Sequence, residues 1–376
     1  MHIGFDARFA GIAQGGVGRY VERVVKAFGE SKTQFTMTLF LRRSNWDLFP
    51  HLDGRFRRVL ADVPWYGLKE QLVLPTVFRR SHCDGYHLPH FNVPLWMPRP
   101  FVCTLHDLIM WEETGARVST RMKAVARAKE YGMKLVVRRA LRRAAHCVVP
   151  SQWTADRIKP VTGIVPRRVS VIPEGADALA HVTPRPWEEV RAQYGIDSQY
   201  VLCVGSAYQH KQTSLIIDAV ASLSSVHPRL HLVHAGPAHP LSFARALEEY
   251  GRNVLGNRYH EVGAVPDETL TTLYRNAFAY VSASRMEGFA LPALEAMWHR
   301  TPVIVPWVSC FPEVLGDAPL YTTPGDSASI AQAIVQLLKS PDTRARCTER
   351  GTIVASQYQW SRHAESLLQF YTSLFL

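Results

Sequence analysis

Two glutamates eight residues apart, Glu287 and Glu295, bracket the segment Glu287-Gly288-Phe289-Ala290-Leu291-Pro292-Ala293-Leu294-Glu295. Glycine and proline near a helix start expose backbone N–H groups that have no intrahelical partner. Carboxylates at such a corner can hold hydroxyls, one before the helix and one about two turns into it. Spacing alone means little; the composition of the corner is more specific. A second candidate is Gln14-Gly15-Gly16-Val17-Gly18-Arg19-Tyr20, between the strand-like HIGFDA and an apolar-periodic helix. A glycine-rich turn there offers N–H groups and a positive helix end, both suited to a phosphate. It is not a dinucleotide fingerprint, because Val21 stands where the third glycine belongs. The next strand also runs into Leu41-Arg42-Arg43 without the ribose-binding acid. Phosphate loop and plain tight turn both stay open.

These residues need a scaffold. A chain of 376 residues suits two domains. With 47% hydrophobic and 20% charged residues it has a globular balance. Short β-type runs alternate with helical stretches, which predicts parallel α/β architecture. The first half offers His2–Ala7, Phe35–Leu41, Gly85–Leu88, Phe101–Leu105, His146–Val149 and Val169–Ile172. The second restarts with Tyr200–Gly205, Leu230–Ala235, Tyr259–Val262, Ala277–Ser282 and Pro302–Val305. A hinge is expected early in Pro173–Gln199. No two of the six cysteines (Cys83, Cys103, Cys147, Cys203, Cys310 and Cys347) fall at a CxxC spacing, which reads as reduced structural thiols. With no spanning apolar run and no leader pattern, the expected location is cytoplasmic, or peripheral at the cytosolic face of a membrane.

Charge is uneven. Met1–Ala178 carries 28 Lys and Arg against 15 Asp and Glu, whereas the remainder is close to neutral. Arg121–Arg143 alone holds nine bases and one acid, Glu130. Such a helix suits an anionic membrane surface, with a solvated face as the plainer reading. No aromatic-interleaved pattern argues for nucleic acid, and none is expected as a partner.

In the light of these motifs the chain resembles the retaining glycosyltransferases of family 4, with the GT-B fold, and most resembles mannosyltransferase-like members. The resemblance runs through GFDARF…GGVGRYV, VCTLHDL, VVPSQWTADRI, VSVIPEGAD, VLCVGSAYQHKQ, HLVHAGP, EGFALPALEAM, TPVIVPWVSCFPEVLGDAPLY and QYQW, in that order. It implies two doubly wound Rossmann-like domains with a cleft between them. Residues 1–180 would bind the acceptor and residues 181–358 the nucleotide-sugar. Residues 359–376 would form a helix packing back toward the N-terminal domain.

By the same resemblance Glu287 would hold donor-sugar hydroxyls and Glu295 the ribose. Backbone around Phe289, Ala290 and Leu291 would line sugar and phosphate. Gly16 would approach the diphosphate, Lys211 would neutralise it, and His106 would lie near the reacting sugar. The chain departs from the family pattern in three ways: Ala290 replaces a glycine, Ser206 replaces a donor-binding arginine, and Arg285-Met286 precedes Glu287. If position 290 needs a positive φ, alanine would be strained. Asp107 is expected to cap the segment that follows it.

No Asp-x-Asp occurs, so the expected transfer is metal-independent and needs no cofactor beyond a GDP- or UDP-sugar substrate, with GDP-mannose favoured. The acceptor would be a glycan or lipid-linked saccharide, as in polysaccharide or lipopolysaccharide biosynthesis. The rival readings are a GT-B nucleotide-sugar epimerase or hydrolase, and a non-enzymatic membrane-surface or nucleic-acid binding protein.

Overall fold

The structure, a computed structural model, describes residues 1–11, 15–112 and 123–375, with backbone alone over 123–129. Gln14, Arg121, Met122 and Leu376 therefore lie outside the described residues. The chain forms two compact units, one of Met1–Glu174 with Trp360–Leu376 and the other of Gly175–Gln359.

In the first unit, β1 (His2–Asp6), β2 (Thr36–Leu41), β3 (Phe56–Leu60), β4 (Gly85–Leu88), β5 (Phe101–Thr104), β6 (His146–Val149) and β7 (Val169–Val171) build one parallel sheet. Its order is β3-β2-β1-β4-β5-β6-β7. In the second unit, β8 (Tyr200–Val204), β9 (His231–Ala235), β10 (Tyr259–Gly263), β11 (Ala279–Val281), β12 (Val303–Pro306) and β13 (Leu320–Thr322) build another, ordered β10-β9-β8-β11-β12-β13. Parallel sheets are covered on both faces, so their strands read as apolar runs. β4, β5 and β9 are buried at every position.

Two strands were not expected from the sequence, β3 and β13. Both are edges. β3 reads Phe-Arg-Arg-Val-Leu and is only half covered, as a charged edge strand should be. β13 has three residues, too few to show a period.

Each sheet reverses its strand order once, between β1 and β4 and between β8 and β11. Connections then leave the two central strands on opposite sides. A crevice opens at their C-terminal ends, where α/β proteins bind ligands.

The helix Trp360–Phe375 packs on helix Gly15–Glu30 within the first unit. The Tyr371 hydroxyl is hydrogen-bonded to His87 Nδ1, and the Phe375 ring fills the space over Gly85, leaving no room there for a side chain. His363 Nδ1 donates to the Pro173 carbonyl (2.7 Å) and its Nε2 accepts from Tyr20 (3.0 Å). All six cysteines are free thiols, five of them buried.

Candidate active site

The β8/β11 crevice carries the candidate donor residues. After β8 the chain turns at Gly205 (φ +146°), makes a short 3-10 turn over Gln209–Lys211, and passes Gln212 (φ +47°) into helix Thr213–Ser222. After β11 it runs through 284–290 into helix Leu291–Trp298. The two loops are fastened together, because Arg285 N–H donates to the His210 carbonyl at 2.9 Å. This brings Lys211 and Glu287 into contact, with Nζ donating to Oε1 at 2.5 Å and both side chains largely shielded. Each neutralises the other, and a phosphate oxygen could replace the carboxylate on Nζ.

Ala290 is the N-cap of helix Leu291–Trp298 and sits at φ +64°, ψ +31°. Position 290 does take a positive φ, and an alanine adopts it here at a cost of about 1–2 kcal/mol. Ser309, which precedes helix Phe311–Leu315 by two residues, is also left-handed (φ +54°), and its Oγ accepts from Glu287 N–H at 3.3 Å. Strained backbone clusters where surrounding structure holds it, commonly at ligand sites. Because the helix begins only after Ala290, Glu295 lies just over one turn into it, not two as the sequence suggested. Glu295 is buried and accepts from the Tyr274 hydroxyl at 3.1 Å. The Phe289 ring is buried against Tyr358. Ser206 is half-buried, and its carbonyl accepts from Tyr208 N–H at 2.8 Å.

A further layer was missed from the sequence. His234 Nε2 meets the Gly205 carbonyl at 3.0 Å while its Nδ1 meets Glu261 at 2.7 Å. Gly236 lies so close to the Gly205 backbone that no side chain would fit. The HAGP station thus braces the loop that carries Lys211.

His106 and Gly16 belong to the first unit. Gly16 is exposed in the first turn of helix Gly15–Glu30, not in a loop before it. His106 follows β5; its Nδ1 meets Glu174 Oε1 at 2.8 Å and its Nε2 the Pro89 carbonyl at 3.0 Å. Both partners are acceptors, so the ring carries both protons. Burial alone would depress this imidazole, but the hydrogen bond and charge of Glu174 outweigh it and the pKa is raised. Glu174 sits in the VSVIPEGAD station, and nothing local in the sequence marks it as the partner of a residue 68 positions away. Asp107 Oδ1 accepts from Ile109 N–H at 2.9 Å, the expected cap. Among the described residues no group of three or more His, Cys, Asp or Glu could hold a metal ion. None of the described helices is long and apolar enough to cross a membrane.

The chain matches the family model described as Glycosyltransferase Family 4 over residues 14–178 and that described as Glycosyl transferases group 1 over 187–354. It is 27% identical to O-antigen chain mannosyltransferase B of Escherichia coli, an alignment covering 96% of each chain. Among solved structures, sucrose-phosphate synthase of Thermosynechococcus elongatus superposes with a TM-score of 0.78 at 21% identity, over 100% of this chain and 99% of that one. HepE of Anabaena, solved with UDP-glucose, superposes with a TM-score of 0.75 at 19% identity, over 99% and 100%. Two family models placed one on each half, a relative matched from end to end and paired parallel sheets agree: the chain belongs to the family 4 glycosyltransferases of GT-B fold and is a hexosyltransferase.

Proposed function

We propose that the protein transfers a mannosyl group from a nucleoside-diphosphate donor to a glycan or lipid-linked saccharide, with retention at the anomeric carbon and without a metal. The observation that carries this reading is the Lys211–Glu287 contact at the C-terminal ends of β8 and β11. In the step proposed, the bond from the anomeric carbon to the phosphate oxygen breaks as the acceptor oxygen bonds to that carbon on the same face. The acceptor proton passes to the departing phosphate oxygen. Lys211 and the backbone N–H groups around Phe289–Leu291, at the approach to the helix, take up the charge that develops on the diphosphate. Glu287 positions sugar hydroxyls, and Glu295, oriented by Tyr274, takes the ribose. His106 is kept as a positioning cation of the first unit. Relatives named as mannosyltransferases support the sugar. A UDP-sugar is the second reading, supported by the UDP-glucose bound to HepE.

A thermal-shift panel of GDP, UDP and their sugars tests the donor, since a ligand at a hundred times its Kd adds about 2.7 kcal/mol. GDP-mannose should stabilise most; silence from every nucleotide sugar would refute the reading. Transfer should survive excess EDTA, and loss restored by Mg²⁺ would refute metal independence.

The proposal extends to reversible docking on anionic membrane. Helix Lys123–Arg143 exposes Tyr131, Leu135, Arg138 and Arg142 on one face. Arg139 is committed elsewhere, its Nε donating to the Leu95 carbonyl at 2.9 Å. Bases near an anionic surface contribute about 1 kcal/mol each. Sedimentation with anionic liposomes should fall in Leu135→Ser/Arg142→Gln and at high salt.

A further inference from the structure

The β1/β4 crevice is lined with rings. Phe9, three residues past β1, stacks on Trp65 with centroids 4.5 Å apart and planes 25° from parallel. It lies 5.0 Å from the imidazole of His90, two residues past β4. Phe91 is 3.9 Å from His90, and Tyr66 stands edge-on to it at 6.3 Å.

One buried carboxylate knits these segments together. Glu70 Oε1 accepts from Arg8 Nη2 at 2.9 Å, and its Oε2 accepts from Asn92 Nδ2 and from Tyr66 N–H, each at 2.8 Å. Arg8 is in turn paired with Asp6 at 2.8 Å. Arg8, Asp6 and Glu70 are all buried. A buried ion network is weak evidence for stability; here it fixes where the rings stand. The network's formal charge is −1, but Arg42, paired with Asp62, lays its guanidinium 4.7 Å over the Trp65 ring, so the shelf is a mixed-charge surface that admits a neutral ligand.

One donor remains open in the shelf. Asn92 N–H donates to His90 Nδ1 at 3.2 Å, so the neutral ring carries its proton on Nε2. Burial first, then the charges of His106 and Arg8, hold this imidazole down to about 3, so it stays neutral. Nε2 has no hydrogen-bond partner among the described residues. Trp65 Nε1–H also lacks an acceptor but is fully covered by protein, and its ring carries Phe9 and the Arg42 guanidinium, so it serves as the wall of the shelf. Tyr66, 59% exposed, lays a ring at the surface beside them.

We propose that Phe9, Trp65, Tyr66 and His90 form a subsite for a pyranose ring of the acceptor saccharide. The exposed Tyr66 ring takes the apolar C–H face of the sugar, and the His90 Nε2–H takes a hydroxyl oxygen. His106 reaches the same place, since its Nε2 donates to the carbonyl of Pro89, next to His90. The ligand class rests on the transferase reading; the shelf itself does not.

The test is saturation-transfer NMR on the whole protein with α-mannobiose as probe, beside the GDP and UDP thermal-shift measurement. Tyr66→Gly is the informative variant, because Tyr66 sits at φ +60° and glycine accepts that backbone. Saturation should reach the pyranose C–H protons in the wild type. Affinity should fall about tenfold in Tyr66→Gly and in His90→Gln, with nucleotide binding unchanged, as expected for losing one aromatic or hydrogen-bonding contact. Wild-type affinity in both variants would overturn the proposal, as would a wild type that binds nucleotide but no disaccharide. A protein that binds disaccharide but no nucleotide would support the shelf and refute the donor reading.

Discussion

The two units turn the same topological device to opposite chemistry. At β8/β11 the crevice holds an ammonium and a carboxylate under strained helix starts; at β1/β4 it holds rings over a net negative, buried network. A parallel sheet therefore dictates where a ligand can sit, and the loop residues decide what it is. A diphosphate needs a mobile cation, which on the proposed reading Lys211 would become once it leaves Glu287. A neutral sugar needs flat apolar surface and fixed donors.

The contrast should be clearest in acid. His87 and His90 are held down to about 3 and His363 to about 4, in each case chiefly by burial. All three belong to the first unit. Their folded pKa values lie below the unfolded value near 6.5, so their contribution is present above that pH. It is lost as pH falls toward 4, by up to about 1.4 kcal/mol per pH unit for each imidazole. His106, raised by Glu174, runs the other way and loses its contribution as pH rises through its folded pKa. The second unit has one comparable group, His299, at about 4. Calorimetry at pH 7.5 and 5 should show the first unit destabilised by several kcal/mol more than the second. Equal shifts would break the comparison.

Next in size is Glu287→Ala, which should lower kcat/KM about a hundredfold, on the order of 3 kcal/mol, while nucleoside diphosphates still bind. Unchanged turnover would remove Glu287 from the site. Lys211→Met should weaken GDP or UDP binding by about 1.5–3 kcal/mol, whereas Glu287→Gln, which frees the ammonium, should tighten it. Calorimetric titration decides, and equal affinities in both variants would mean that the ion pair does not guard a phosphate site. The smallest effect is Ala290→Gly. Relief of the left-handed strain outweighs the extra freedom of the unfolded chain, for a net gain of under about 1 kcal/mol in the second unit's melting transition. A lower Tm would show that the Ala290 methyl contributes more than its backbone costs.

Legibility followed chain distance. β9 is visible as an apolar run because a central parallel strand is covered on both faces. The corner around Glu287 is visible because helix start, proline and carboxylates lie within nine residues. The edges β3 and β13 were hidden, one by its arginines and the other by its shortness. The helix start was placed too early because nothing in the letters announces that Ala290 takes a left-handed cap. Glu174 beside His106, Ser309 beneath Glu287 and the shelf of Phe9, Trp65 and His90 join residues tens of positions apart. Only the folded sheet brings them together.

The helix Trp360–Phe375 has a consequence for the order in which a ribosome can release a finished protein. Everything in Gly175–Gln359 is available before that helix emerges, so the second unit can fold first although it comes later in the chain. The first unit must wait. Until the helix arrives, Tyr20 and His87 lack their partners His363 and Tyr371, and the surface at Gly85 that Phe375 later fills stays open. The nascent first half thus awaits a late strip of its own chain, and truncation before Trp360 should leave the second unit intact while the first loses these contacts.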